Sequence, residues 1–298
     1  MYDICCVGHI TLDKVITPNS VKHMPGGTSY YFSNAVRNMP LNYLLVTSLG
    51  STELHTVDDL RALGIHINAF TSAWSVYFEN IYGANLNHRT QRVLHKADPF
   101  TADQLKNIQA TIFHLGPLLA DDMSASFIKD LSARGSVSLD VQGFLRTVEN
   151  KNVVLADWPE KREMLKYIDI IKANDQEMEV VTGLTDIREG AFLLAEWGVK
   201  EVIITLGDKG SVIYTDGMFY DIPVFVPGNV SDTTGCGDTY MAGYLSQRIA
   251  GKNPQQAGEF ASAMAALKIE SYGPFTGTPE DVYRFMSSPK NSDIPALY

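Results

Sequence analysis

The chain has 298 residues, 45% of them hydrophobic and 19% charged, and its 24 basic and 34 acidic side chains leave a net charge of −10. That length suits a single α/β domain whose core closes without disulfides or structural metals, and the acidic balance excludes a general nucleic-acid or anionic-membrane surface. No run approaches the ~18 apolar residues of a membrane span. The N-terminus lacks the pattern of a secretory signal, and Cys5, Cys6 and Cys236 lack metal or CxxC spacing, which suits the reducing cytoplasm.

Residues 3–8 (DICCVG) form an apolar run closed by glycine, read as a first core strand. Behind Gly26-Gly27 the pattern is helical over 28–39, and 43–49 (YLLVTSL) reads as a second core strand. Residues 65–97 differ. Segments near 66–71, 74–82 and 90–95 are rich in β-branched and aromatic residues and are punctuated by Gly83, Asn85, Asn87 and His88. With residues 10–25 they are expected to make a small sheet covering the site, and an apolar outer face there would pair two copies of the chain.

From residue 101 helices and strands alternate: helix 101–108, strand 111–115, helix 121–133, strand 136–140, helix 160–167, strand 168–172, helices 175–182 and 187–197, and strand 201–206. This rhythm predicts a mostly parallel sheet with helices on both faces. A hairpin over 211–225 turns at Asp216-Gly217. Helices near 235–250, 254–271 and 279–286 precede a surface tail.

The sharpest chemical signal is Asp232-Thr233-Thr234-Gly235-Cys236-Gly237-Asp238, leading into a helix. Glycines let backbone approach a ligand, and the first N–H groups of a helix lack partners within it and favour negative charge. A carboxylate at the same helix start can take the proton of an attacking hydroxyl. An Asp that merely caps a helix behind a glycine turn fits the same string. The pattern is neither a P-loop nor a dinucleotide fingerprint.

Residues 232–238 resemble the DTxGAGD signature of the ribokinase-like (PfkB) carbohydrate kinases, with Cys236 in place of Ala. The resemblance runs nearly the whole length: Gly26-Gly27 is similar to the double-glycine sugar motif, Asp13 to an early acceptor-binding Asp, Asn174 and Glu177 to the NxxE motif, and Thr205-Leu206-Gly207 with Gly210 to the TxGxxG segment. Asp140, Gln142 and Arg146 resemble the D-x-N-x-R segment, with Gln142 for Asn.

The resemblance implies a three-layer α/β/α ribokinase-like fold over 1–298, with a mostly parallel central sheet and a small β lid from about 10–25 and 65–97. It implies an ATP-dependent kinase acting on a small sugar or polyol. Asp238 would be the base and the amides of Gly235, Cys236 and Gly237 the anion hole. Asn174, Glu177, Thr205, Gly207, Gly210 and Thr234 would lie on the donor side, with Glu177 meeting Mg2+ through water. A monovalent cation such as K+ is a further implied cofactor. Asn174 and Glu177 equally form a capping box. Ser262 stands where the family often has Asn at the nucleotide base.

Asp13, Gly26, Gly27, Tyr31, Asp140 and Arg146 are the expected acceptor residues. Tyr31 stands where the family often has Asn, which points away from simple ribose and toward a hexose, a sugar acid, inositol or a nucleoside. The competing reading is a silent sugar or nucleotide sensor of the same fold.

Overall fold

The computed structural model describes residues 1–82 and 89–291; the turn expected at 83–88 and the tail residues 292–298 lie outside them. The chain opens with β1 (Tyr2–Val7), β2 (Thr11–Thr17), β3 (Ser20–Gly26), α1 (Thr28–Val36), β4 (Tyr43–Gly50), α2 (Leu54–Ala62) and β5 (His66–Ser72). Next come β6 (Val76–Tyr82), β7 (Arg89–His95), α3 (Ala102–Leu105), β8 (Ala110–Leu115), α4 (Ala125–Ser132) and β9 (Ser136–Asp140). A hairpin of β10 (Arg146–Glu149) and β11 (Asn152–Leu155) leads to α5 (Lys161–Met164), β12 (Ile170–Asn174), α6 (Asp175–Thr182), α7 (Ile187–Glu196) and β13 (Glu201–Thr205). The described chain finishes with β14 (Ser211–Thr215), β15 (Met218–Ile222), α8 (Cys236–Ile249), α9 (Pro254–Ile269) and α10 (Pro279–Met286).

A nine-stranded sheet runs in the order β15-β14-β13-β12-β9-β8-β1-β4-β5. It is parallel from β13 to β5, with β14 and β15 antiparallel at one edge. Both faces are covered, which is why central strands such as β1 and β4 read as near-continuous apolar runs. Cys6 packs with α1, α2, α8, α9 and α10 on one face, while Cys5 packs with α3 to α7 on the other. The architecture is the three-layer α/β/α ribokinase-like fold expected from the motifs.

The second sheet, β10-β11-β7-β6-β2-β3, is the lid. Residues 66–72 are not part of it: β5 pairs with β4 at the edge of the central sheet. The lid instead gains β10 and β11, a hairpin the sequence reading passed over, and Arg146 opens β10. Helix α2 was also missed, and the helices expected at 101–108 and 160–167 shorten to α3 and α5.

Strand register decides which lid side chains face inward, because alternate residues point to opposite faces. Asp13 lies opposite Phe78, which lies opposite Val93; two residues along, Val15, Asn80 and Gln91 are aligned in the same way. Phe78 and Val93 pack on Leu118 and Leu119 of the main domain, so Asp13, Asn80 and Gln91 share that inner face. The outer face is crossed by an ion row, Lys14–Glu79–Arg92, with N–O distances of 3.0 and 2.9 Å.

Candidate active site

Helix α8 packs beside α1 and α9. Its N-cap, Gly235, has φ 75°, a left-handed conformation that glycine adopts without strain. A β-carbon there would also come within 2.2 Å of the Tyr31 ring. Tyr31 of α1 is thus packed against the first residue of the Gly235-Cys236-Gly237 loop. Burial raises its hydroxyl pKa, and the charges of Asp232, Asp13 and Asp238 raise it further, so it stays a neutral donor among three carboxylates.

The Gly237 and Asp238 amides lie in the first turn of α8, where helix N–H groups have no intrahelical acceptor. The Cys236 amide is different: it reaches Thr233 O at 3.3 Å, a long bond that a phosphoryl oxygen would have to share or replace. The Cys236 thiol turns toward Ala265 O, and burial raises its pKa to about 11. It is therefore a neutral packing group, like the Ala it replaces.

Asp238 lies in the first turn of α8. Burial raises its pKa to about 7, with the Asp140 carboxylate adding to the rise. Lys172, the Thr28 side chain hydrogen-bonded to Asp238, and Arg146 pull the other way. A carboxyl poised near neutrality suits a general base.

Lys172 and Thr28 were not singled out in the sequence. Lys172 lies on β12 and is buried, with its Nζ 3.0 Å from Asp140 Oδ2 and 3.8 Å from Glu177 Oε2. A β-carbon on Gly237 would meet that Nζ at 3.1 Å, so the ammonium lies directly against the start of α8. Burial alone would lower its pKa, but Asp140 and Glu177 outweigh burial and raise it, so the lysine stays charged. A charged residue inside the apolar run IIKAN, two residues before Asn174, was the available signal. For Thr28 it was adjacency to Gly26-Gly27.

On the acceptor side, Asp13 Oδ1 accepts from Thr11 Oγ1 at 2.7 Å. A β-carbon on Gly26 would come 2.5 Å from Asp13 Oδ2 and 2.9 Å from Thr11 Oγ1, so a larger residue there would displace this carboxylate and its hydroxyl partner. Gly27 caps α1 and directs Thr28 toward Asp238. Asp140 ends β9, at the carboxyl edge of the sheet where ligands bind in open α/β folds. Its two oxygens accept from Gln142 N and Lys172 Nζ. Arg146 is close enough to lower the pKa of both Asp238 and Glu177.

On the donor side, Asn174 and Glu177 form the reciprocal capping box at 2.7 and 2.8 Å. Burial raises the Glu177 pKa against the pull of Lys172. Among the described residues no group of three His, Cys, Asp or Glu side chains could hold a metal by itself. Any Mg2+ would be held by donor oxygens and water, with Glu177 at the margin.

Thr205, Gly207 and Gly210 line a cavity of 490 Å3 together with Thr233, Cys236 and Gly237. Thr234 is exposed; its amide donates to Asp232 Oδ1 at 2.9 Å. The far wall is apolar, with Val224, Phe225, Val230, Ala265 and Ile269. Ser262 also lines it, but its hydroxyl is spent on Pro223 O at 2.7 Å.

The family model for pfkB family carbohydrate kinases matches residues 86–281. The nucleoside kinase of Methanocaldococcus jannaschii is 27% identical, with 94% of each chain covered. A sulfate-bound pyrophosphate-dependent kinase in the ribokinase family is 27% identical, with a TM-score of 0.83 over 94% of this chain and 99% of that one. A pyrophosphate-dependent kinase in the same family, complexed with a pyrophosphate analogue and myo-inositol, is 26% identical with the same TM-score and the same coverage.

These likenesses overturn the expectation of ATP as donor: the similar solved structures of 25–27% identity are of pyrophosphate-dependent kinases. Among the described residues, no helix is long and apolar enough to cross a membrane.

Proposed function

The chain belongs to the pfkB family of carbohydrate kinases, and on that premise we propose that it transfers a phosphoryl group from pyrophosphate to a hydroxyl of a small cyclic polyol such as an inositol. The observation that carries this reading is the meeting of a carboxyl poised near neutrality, Asp238, with a charged buried ammonium, Lys172, at one helix start.

The acceptor hydroxyl gives its proton to Asp238 as its oxygen bonds to the nearer phosphorus. The bridging P–O bond breaks and orthophosphate leaves. The Gly235 and Gly237 amides and Lys172 stabilise the equatorial oxygens of the group in flight. Mg2+, bound with the donor, would neutralise phosphate charge.

Asp13, Tyr31, Asn80 and Gln91 are the proposed acceptor contacts. Asn80 is buried on the lid's inner face and accepts from Gln91 Nε2 at 3.0 Å. An amide pair of this kind discriminates among ring hydroxyls through bonds that a wrong isomer leaves unmade. Asn80→Leu and Gln91→Leu are expected to raise the acceptor KM about tenfold or more, or to change the hydroxyl phosphorylated, without changing the pyrophosphate KM. Phosphorus NMR of the products, with steady-state kinetics, reads both.

A donor panel tests the proposal. Pyrophosphate, ATP and other nucleoside triphosphates are each offered with inositols, hexoses, sugar acids and nucleosides. Phosphate release that depends on both pyrophosphate and a polyol is expected. The cavity is larger than pyrophosphate, so turnover confined to a nucleotide donor is the outcome that would refute the donor assignment. Tight ligand binding without turnover by any pair would favour the sensor.

A further inference from the structure

We infer that the buried ammonium of Lys268 is a built-in cation that clamps the Asp232 loop, and through it the anion hole, so that turnover needs no monovalent cation from solution. The inference rests on the phosphotransfer reading.

Lys268 lies in the last turn of α9 and is fully buried. Its Nζ donates to Asp232 O at 2.8 Å and to Asp232 Oδ2 at 3.1 Å. Asp232 is the first residue of the loop that ends at Asp238. A lone buried charge is strongly disfavoured, so the ammonium and the loop oxygens hold each other in place.

The rest of the loop is tied to the same point. Ser231 N and Asp232 N both donate to Ile269 O, at 2.8 and 3.2 Å. Asp232 Oδ1 accepts from Thr234 N at 2.9 Å, and Oδ2 accepts from Gly273 N at 3.3 Å. Burial acts to raise the Asp232 pKa, but the Thr234 bonds and the Lys268 charge outweigh it and hold it below the usual range. The carboxylate is therefore anionic, and it needs a partner of one positive charge.

A carbonyl and a carboxylate oxygen converging on one positive charge are also the donors that a small monovalent cation takes. Here the lysine supplies that charge covalently. Its removal should free Asp232, let the turn at Thr234-Gly235 shift, and misplace the amides that receive the phosphoryl group. Lys268 does not line the cavity next to the loop and is a positioning residue.

The experiment compares wild type with Lys268→Met, which keeps much of the stem but lacks the charge. Both are assayed at matched ionic strength in choline buffer, then with KCl or NH4Cl. Wild type is expected to turn over equally in all three. The variant should lose about 10²-fold in kcat with little change in acceptor KM. K+ or NH4+ should restore part of that loss.

A wild type that requires K+ overturns the inference, as does full activity of the variant in choline or a folded variant that no cation rescues. If the variant does not fold, the cation independence of the wild type decides. Should wild type prove inactive with every donor, the phosphotransfer reading fails separately. The clamp is then read by calorimetry with pyrophosphate, whose affinity should fall in the variant and be partly recovered by K+.

Discussion

Replacing Asp238 by Asn is expected to lower kcat by about 10³-fold while leaving pyrophosphate binding intact. The substitution keeps the shape of the side chain but removes its capacity to take a proton, and the anion hole and Lys172 remain. Steady-state kinetics with calorimetric titration of pyrophosphate separates the two effects. Unchanged kcat would end the role assigned to Asp238.

The wild-type pH profile belongs to the same prediction. Only the ionised carboxylate is a base, so kcat/KM should rise with pH through about 7, the value to which burial and Asp140 raise Asp238. The stability of the free enzyme should show the opposite sign. A folded-state pKa above the ordinary carboxylate value means that ionising Asp238 opposes folding. The penalty is absent below pH ~4, grows as pH rises toward 7, and is complete above that. Asp238→Asn should therefore melt higher than wild type at pH 8, and the difference should vanish as the pH falls to about 4. A variant that is inactive yet more stable above neutrality would distinguish a strained catalytic carboxylate from a plain helix cap, whose loss destabilises.

The second large effect is expected at Lys172. Lys172→Met leaves Asp140, Glu177 and Asp238 facing one another with their shared cation gone. Breaking a buried pair from one side typically costs about 3–5 kcal/mol, although proton uptake by Glu177 or Asp238 would relieve part of that. Turnover should fall by about 10²–10³-fold, the scale seen when a group that stabilises transition-state charge is removed.

The diagnostic readout is again pH. Lys172 lowers the Asp238 pKa, so its loss should move the rise in kcat/KM to higher pH. Lys172→Arg should retain the charge and much of the stability. A rise that stays near pH 7 in Lys172→Met would show that the ammonium does not act on Asp238.

The loop and cap geometry around α8 and α6 was legible because it is local, although the donor itself was misread. The string from Asp232 to Asp238 carries its own turn, helix start and carboxylate within seven residues, and helix geometry alone brings the amides and the acid together. Asn174 and Glu177 were equally readable, since a capping box spans one turn. Lys172 was harder to see. Its neighbours Asp140 and Glu177 come to it from the end of β9 and the start of α6, and only the sheet order puts β9 beside β12.

Lid membership was the least legible part. The segment 66–72 has the same alternating, β-branched composition as β6, and composition does not say which edge a strand joins. The backbone resolves it: β5 follows α2 in parallel beside β4, extending the central sheet. The hairpin Arg146–Leu155 was hidden for a related reason. Its strands are four residues each, too short for a period to stand out.

By itself, then, the sequence determined the layer architecture and the family motif that carries Asp238, the base proposed here, because each is written in neighbours along the chain. Tertiary structure alone decided the raised proton affinity of Asp238, the ammonium of Lys172 against the anion hole, and the Lys268 clamp on Asp232. Those depend on burial and on charges brought together from distant segments, and the strength of a charge interaction is set by distance and local dielectric.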